Sequence, residues 1–105
     1  MTDEFKSRID GMVREKRIVV FMKGTPAMPM CGFSAAVVKA LREAGAQDLS
    51  AHDVLSDPEL RDGIKEYSSW PTIPQVYVDG KFVGGADIVR DLHRQGELSR
   101  LVAGS

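Results

Sequence analysis

Five consecutive apolar residues, Ile18-Val19-Val20-Phe21-Met22, dictate most of what this chain can become. The run is short, β-branched and has no polar alternation, the pattern of a central strand buried on both faces. Such a strand needs apolar cover on each side, and the flanking sequence supplies it from helices. Residues 3–14 place Phe5, Ile9, Met12 and Val13 at i, i+4, i+7 and i+8, one apolar stripe. Thr2 or Asp3 can cap that helix, and Arg14, Lys16 and Arg17 gather where its dipole favours cations. A second helix is expected from Gly32 to Ala44, with Phe33, Val37, Ala40, Leu41 and Ala44 as its buried face and Gly45 as its stop. Ser56-Asp57-Pro58-Glu59 opens a third, with a Ser-x-x-Glu capping box, and Leu60, Ile64 and Tyr67 continue it.

Other strands are weaker or shorter. Residues 48–54 form one, although Leu49, Ala51 and Val54 do not alternate cleanly. Residues 74–78 do alternate, Asp79-Gly80 is a two-residue hairpin signal, and residues 81–84 return. Gly85-Ala86-Asp87, with Asp87 as the expected cap, leads into a last helical region carrying Ile88, Val89 and Leu92. Gly96 then precedes a short turn with Leu98, Leu101 and Val102. The order α-β-α-β-α-β-β-α predicts a single α/β domain over residues 1–105. Its mixed four-stranded sheet has parallel helix-linked strands, an antiparallel hairpin and helices on both faces.

Composition narrows the function classes. The chain is 43% hydrophobic and 28% charged, as ordered globular domains are. A net charge of -1 gives no electrostatic case for nucleic acid. No apolar run approaches the roughly 20 residues a membrane span requires. Met1-Thr2-Asp3-Glu4 shows no signal or transit peptide, and a lone cysteine cannot form an internal disulfide, so a reducing, cytoplasmic setting is expected.

That cysteine, Cys31, sits between a Gly/Pro-rich loop and a helical pattern. A helix N-terminus and the ammonium of Lys23, at the other end of the loop, both favour the thiolate. Ser34 occupies the position where a Cys-x-x-Cys motif would carry its second thiol, so any resolving thiol must come from outside the chain. By itself Ser34 reads as a solvated first-turn residue. Two further stretches stand out. In Trp70-Pro71-Thr72-Ile73-Pro74, a cis Ile73–Pro74 bond would leave the backbone of Thr72 and Ile73 open to pair with an extended peptide. In Gly84-Gly85-Ala86-Asp87, glycines precede a helix whose N–H groups receive carboxylates well. Met28 and Met30 beside Cys31 raise a Cu(I) alternative, but packing against the loop is the expected role. His52 and His93 lie far from any ligand spacing and read as structural.

Taken together, in this order and spacing, these stretches closely resemble the monothiol glutaredoxins of the thioredoxin-fold superfamily. The matching segments are residues 22–26, 29–34, 67–77 and 79–87, and the resemblance spans essentially the whole chain as a single-domain member. It implies a bound glutathione. Lys23 and Arg61, helped by Lys65, would pair with the glycine carboxylate. Ile73, with Thr72 beside it, would hold the cysteinyl backbone, Pro74 would be the cis proline, and Ala86 and Asp87 would take the γ-glutamyl end. Many members have cysteine or serine where this chain has Ala86, so an internal disulfide with Cys31 is excluded here. The resemblance also implies a [2Fe–2S] cluster bridging a homodimer, with Cys31 of each subunit and two glutathiones as its four thiolates. Apo iron–sulfur proteins would be recipients, and a BolA-like protein is a further expected partner. The competing expectation is a glutathione-dependent thiol–disulfide oxidoreductase with Cys31 as nucleophile.

Overall fold

In the computed structural model, which describes residues 1–104, Ile18–Met22 forms β1 with every residue buried. It lies inside a four-stranded sheet of order β2-β1-β3-β4, with β2 at Ser50–Asp53, β3 at Gln75–Val78 and β4 at Lys81–Gly84. β1 runs parallel to β2, with Val20 opposite Ala51, and antiparallel to β3, with Val20 opposite Val76. β3 and β4 form the antiparallel hairpin. Its turn residues Asp79 and Gly80 have φ of 53° and 77°, positive at both positions as a two-residue turn of matching twist requires.

Alternate residues of β1 serve two separate cores. Ile18, Val20 and Met22 pack with Val37 and Leu41 of α2 (Gly32–Glu43), Val89 of α4 (Ala86–Arg94) and Leu98 of α5 (Glu97–Ala103). Val19 and Phe21 pack with Ile9 and Val13 of α1 (Asp3–Arg14) and with Leu60 and Ile64 of α3 (Pro58–Ser68). Phe5 joins the second core and lies over Gly63 of α3, where an added Cβ would run into its ring.

Several local expectations shift. β2 covers four residues, all half-buried, because it is an edge strand without full cover on either face. That partial cover is why its sequence lacks alternation. His52 of β2 stacks on Phe21 with ring centroids 5.2 Å apart and contacts Glu15, and His93 pairs with Glu43 at 3.3 Å. Phe33 is 64% exposed rather than buried. The buried position in the first turn of α2 goes instead to Ser34, whose oxygen accepts the Lys23 N–H, while Phe33 faces outward. α3 is capped by Asp57, whose carboxylate accepts the Leu60 N–H at 3.1 Å, while Ser56 donates instead to the Asp53 carbonyl. The N-cap of α4 is Gly85, with Asp87 in the first turn, where its charge complements the dipole. The last helical region is two helices divided by Gly96. Arg17 fastens the hairpin to α5, donating to the Asp79 carboxylate at 3.0 Å and the Val102 carbonyl at 2.7 Å.

Asp57 also accepts a bond from Arg8 at 2.9 Å, and that bond, with the Leu60 N–H, holds its carboxyl below the usual aspartate range. Asp57→Ala is expected to cost about 1 kcal/mol, read as a lower Tm at neutral pH. A depressed folded-state pKa stabilises above the unfolded aspartate pKa and loses that contribution as pH falls through the folded one. The Tm gap between wild type and variant should therefore close in acid.

Candidate functional site

The chain leaves the C-terminal end of β1 into a loop that must turn back within a few residues to start α2. Gly24 makes this possible, with φ of 88° and the Met28 carbonyl only 2.5 Å from where a Cβ would stand. The loop closes on itself through Met30 N–H to the Lys23 carbonyl at 2.9 Å and Thr25 N–H to the Met28 carbonyl at 3.2 Å. Two side chains dock it to the scaffold. Ser34 Oγ accepts the Lys23 N–H at 3.1 Å, and Asp53 Oδ1 accepts the Gly24 N–H at 2.9 Å. Met28 and Met30 are 70% and 64% exposed, so they do not pack inward but leave an apolar rim, with Phe33, beside the thiol.

Cys31 is the N-cap of α2 and a free, half-buried cysteine. The Ser34 backbone N–H is the main reason its pKa falls below that of an ordinary thiol. Desolvation opposes this, while the Phe33 N–H, the Lys23 ammonium and the Ser34 hydroxyl add to it. Orphan N–H groups of a helix start thus favour a thiolate, as expected for a cysteine in this place.

Across from the thiol, the chain enters β3 through a cis Ile73–Pro74 bond. Buried Gln75 braces this entry by donating from Nε2 to the carbonyls of Trp70 and Thr72 at 3.1 and 3.2 Å. Among the described residues, no hydrogen bond engages the N–H or C=O of Ile73. Trp70 lies over Gly85, whose Cβ, if present, would meet its Nε1 at 2.9 Å. The same indole nitrogen is buried without a hydrogen-bond partner. Gly85 is therefore demanded by the ring above it and not by its backbone, whose φ of -94° is open to any residue.

These walls enclose a groove of about 570 Å³. Cys31, Lys23, Arg61, Lys65, Thr72, Ile73, Pro74, Ala86 and Asp87, all singled out from the sequence, line it. α3 contributes Arg61 and Lys65 from one face, with the Arg61 Nε 3.5 Å from the Asp62 carboxylate. The groove thus combines the Cys31 thiol, three cations, the carboxylates of Asp62 and Asp87, a free main-chain pair and the N-terminus of α4. It can bind an extended, carboxylate-bearing ligand with its sulfur against Cys31. Among the described residues, no group of three or more His, Cys, Asp or Glu side chains could hold a metal ion, so one chain offers one thiolate and little else to a metal.

Sequence reasoning missed the residues that carry no ligand-facing chemistry. Ser34, fully buried, is a link between α2 and the Lys23 loop and not a solvated residue. Asp53 and Gln75 hold loops from behind. Gln75 left one usable trace, a polar side chain within an otherwise apolar strand after two prolines.

The glutaredoxin family profile matches residues 18–83. The chain is 54% identical over 102 residues to an uncharacterised monothiol glutaredoxin, ycf64-like, of Synechocystis, a match covering 97% of this chain and 94% of that one. It is similar to the solution structure of reduced poplar apo GrxS14, with 44% identity, a TM-score of 0.82 and coverage of 95% and 91% of the two chains. The crystal structure of a buckwheat glutaredoxin-glutathione complex has a TM-score of 0.82 over 99% of this chain and 96% of that one. At 23% identity the likeness is one of fold.

The electrostatics give a direct test. The alkylation rate of Cys31 by iodoacetamide, followed against pH, should rise with a midpoint below that of an ordinary thiol. Lys23→Gln should move that midpoint upward, since a cation that favours the thiolate is lost. An unchanged profile would remove Lys23 from the account of the thiol.

Proposed function

The chain belongs to the glutaredoxin family, in its monothiol branch, and on that premise we propose that it binds glutathione and carries [2Fe–2S] clusters between proteins. The observation that carries the reading is a single favoured thiolate at one end of a cationic groove, in a chain with no second cysteine. Glutathione fits the groove chemically. Its glycine carboxylate meets Lys23 and Arg61, with Lys65 close by on the same helix face. Its cysteinyl backbone pairs with the unengaged N–H and C=O of Ile73, beside Thr72 and Pro74, like one added strand. Its γ-glutamyl carboxylate meets the N–H groups at Ala86 and Asp87, where α4 begins. The buckwheat complex supports the glutathione reading, since it is a glutaredoxin of the same fold with glutathione bound.

The cluster is cargo. A [2Fe–2S] unit takes four thiolates, and this chain has one to give. Two chains and two glutathiones complete the set, so the loaded form is a homodimer with Cys31 of each subunit as a ligand. Half of the ligands then exchange with solution, which suits delivery to apo iron–sulfur proteins. A BolA-like protein in place of one subunit would give a regulatory form of the same site.

The low pKa of Cys31 also favours a second reading, glutathione-dependent reduction of mixed disulfides. The Cys31 thiolate attacks the glutathione sulfur of a protein–glutathione disulfide, and the protein thiolate leaves. A second glutathione thiolate then attacks the Cys31–glutathione disulfide, releasing oxidised glutathione and restoring Cys31.

Anaerobic reconstitution with iron, sulfide and glutathione decides between the two. A coloured dimer, lost in Cys31→Ser and in the absence of glutathione, is expected for the carrier. A colourless monomer that still binds glutathione and turns over a glutathionylated peptide rapidly would replace the carrier with the enzyme.

A further inference from the structure

One carboxylate oxygen joins the two loops that flank the cationic end of the groove. Asp53 closes β2 opposite Met22 of β1. The two strands stay in register one step further, where Val54 N–H donates to the Met22 carbonyl at 2.9 Å. Beyond that point the chains part. One becomes the Lys23–Gly24 loop leading to the thiol, and the other becomes the Leu55 segment leading to α3 with Arg61 and Lys65. Asp53 Oδ1 spans the gap, accepting the Gly24 N–H at 2.9 Å and the Leu55 N–H at 2.9 Å. Asp53 itself does not line the groove, whereas Lys23 and Leu55 do.

We propose that Asp53 is a positioning residue that sets the separation between Lys23 and the Arg61–Lys65 face of α3, and with it the fit of a ligand carboxylate. The inference deepens the glutathione reading above and rests on it for the ligand's identity. A carboxylate held between cations from two different loops binds well only if those loops keep a fixed spacing, to about half an ångström in a built site. A single acceptor shared by one N–H from each loop fixes that spacing directly. Gly24 lies close against the returning loop, where an added Cβ would meet the Met28 carbonyl at 2.5 Å. The acceptor, not the negative charge, is what the role needs. A charge alone would act against the ligand's own carboxylate.

Asp53→Asn and Asp53→Ala separate these contributions, since both remove the charge and only Asn keeps an oxygen in place. Glutathione binding to the apo chain is measured by calorimetry, and exchange of the Gly24 and Leu55 amides by NMR without ligand. Asp53→Ala is expected to accelerate both amides and to weaken glutathione about five- to tenfold, and Asp53→Asn to stay within about twofold of wild type in affinity. Glutathione monoethyl ester, which lacks the free glycine carboxylate, should bind the two variants alike. Asp53→Val, which also lacks an acceptor, carries the same prediction as Ala and replaces it if the Ala chain does not fold. Equal weakening by Asn and Ala, or affinity for Ala within about twofold of wild type, would overturn the proposal. If wild type fails to bind glutathione, the glutathione reading falls. The exchange rates still decide whether Asp53 holds the loops, and unprotected amides in wild type would overturn that too.

Discussion

A strand with no polar face has to surrender its backbone to polar groups the moment it leaves the core. β1 is covered on both sides up to Met22, and the next two N–H groups emerge where no sheet partner awaits them. Ser34 takes one and Asp53 takes the other. The site begins at that exit. The groups that satisfy the emerging backbone also hold Lys23 beside the groove and bring Cys31 to the start of α2, so the solution to a packing problem and the location of the chemistry coincide.

From there the thiol's character follows with little added machinery. A cysteine at a helix start faces N–H groups that the helix itself cannot use, and the Ser34 N–H is the strongest influence on Cys31. Lys23 contributes through space because the loop returns it there. The opposite wall works by omission, since among the described residues nothing engages the main-chain groups of Ile73, while Gln75 ties down the carbonyls of Trp70 and Thr72 just before it. One wall presents charge and the other presents backbone, a division suited to a short peptide with charged ends.

Much of this was legible in the sequence, and the parts that were not share a physical cause. The apolar pentad, the α1 stripe and the Asp79-Gly80 turn were readable because each is a local pattern with one structural answer. Cys31, Lys23 and the Thr72-Ile73-Pro74 stretch were readable from residue type and place in the chain, while Arg61 and Lys65 were legible only through the family resemblance. Phe33 misled because periodicity assigns it to the core, while the buried position of that turn belongs to Ser34. The cap of α3 moved by one residue because Ser56 found a carbonyl to donate to. Ser34, Asp53 and Gln75 stayed hidden because a polar side chain that serves backbone from another segment leaves no periodic trace.

The indole on the groove wall has a practical side. Trp70 is the single tryptophan of the chain, packed 5.7 Å from the Phe82 ring and pressed against Gly85. Every photon of indole emission therefore originates at one wall of one cleft, next to an N–H with no partner. The molecule carries its own optical gauge of that cleft, without a label and without a background from elsewhere.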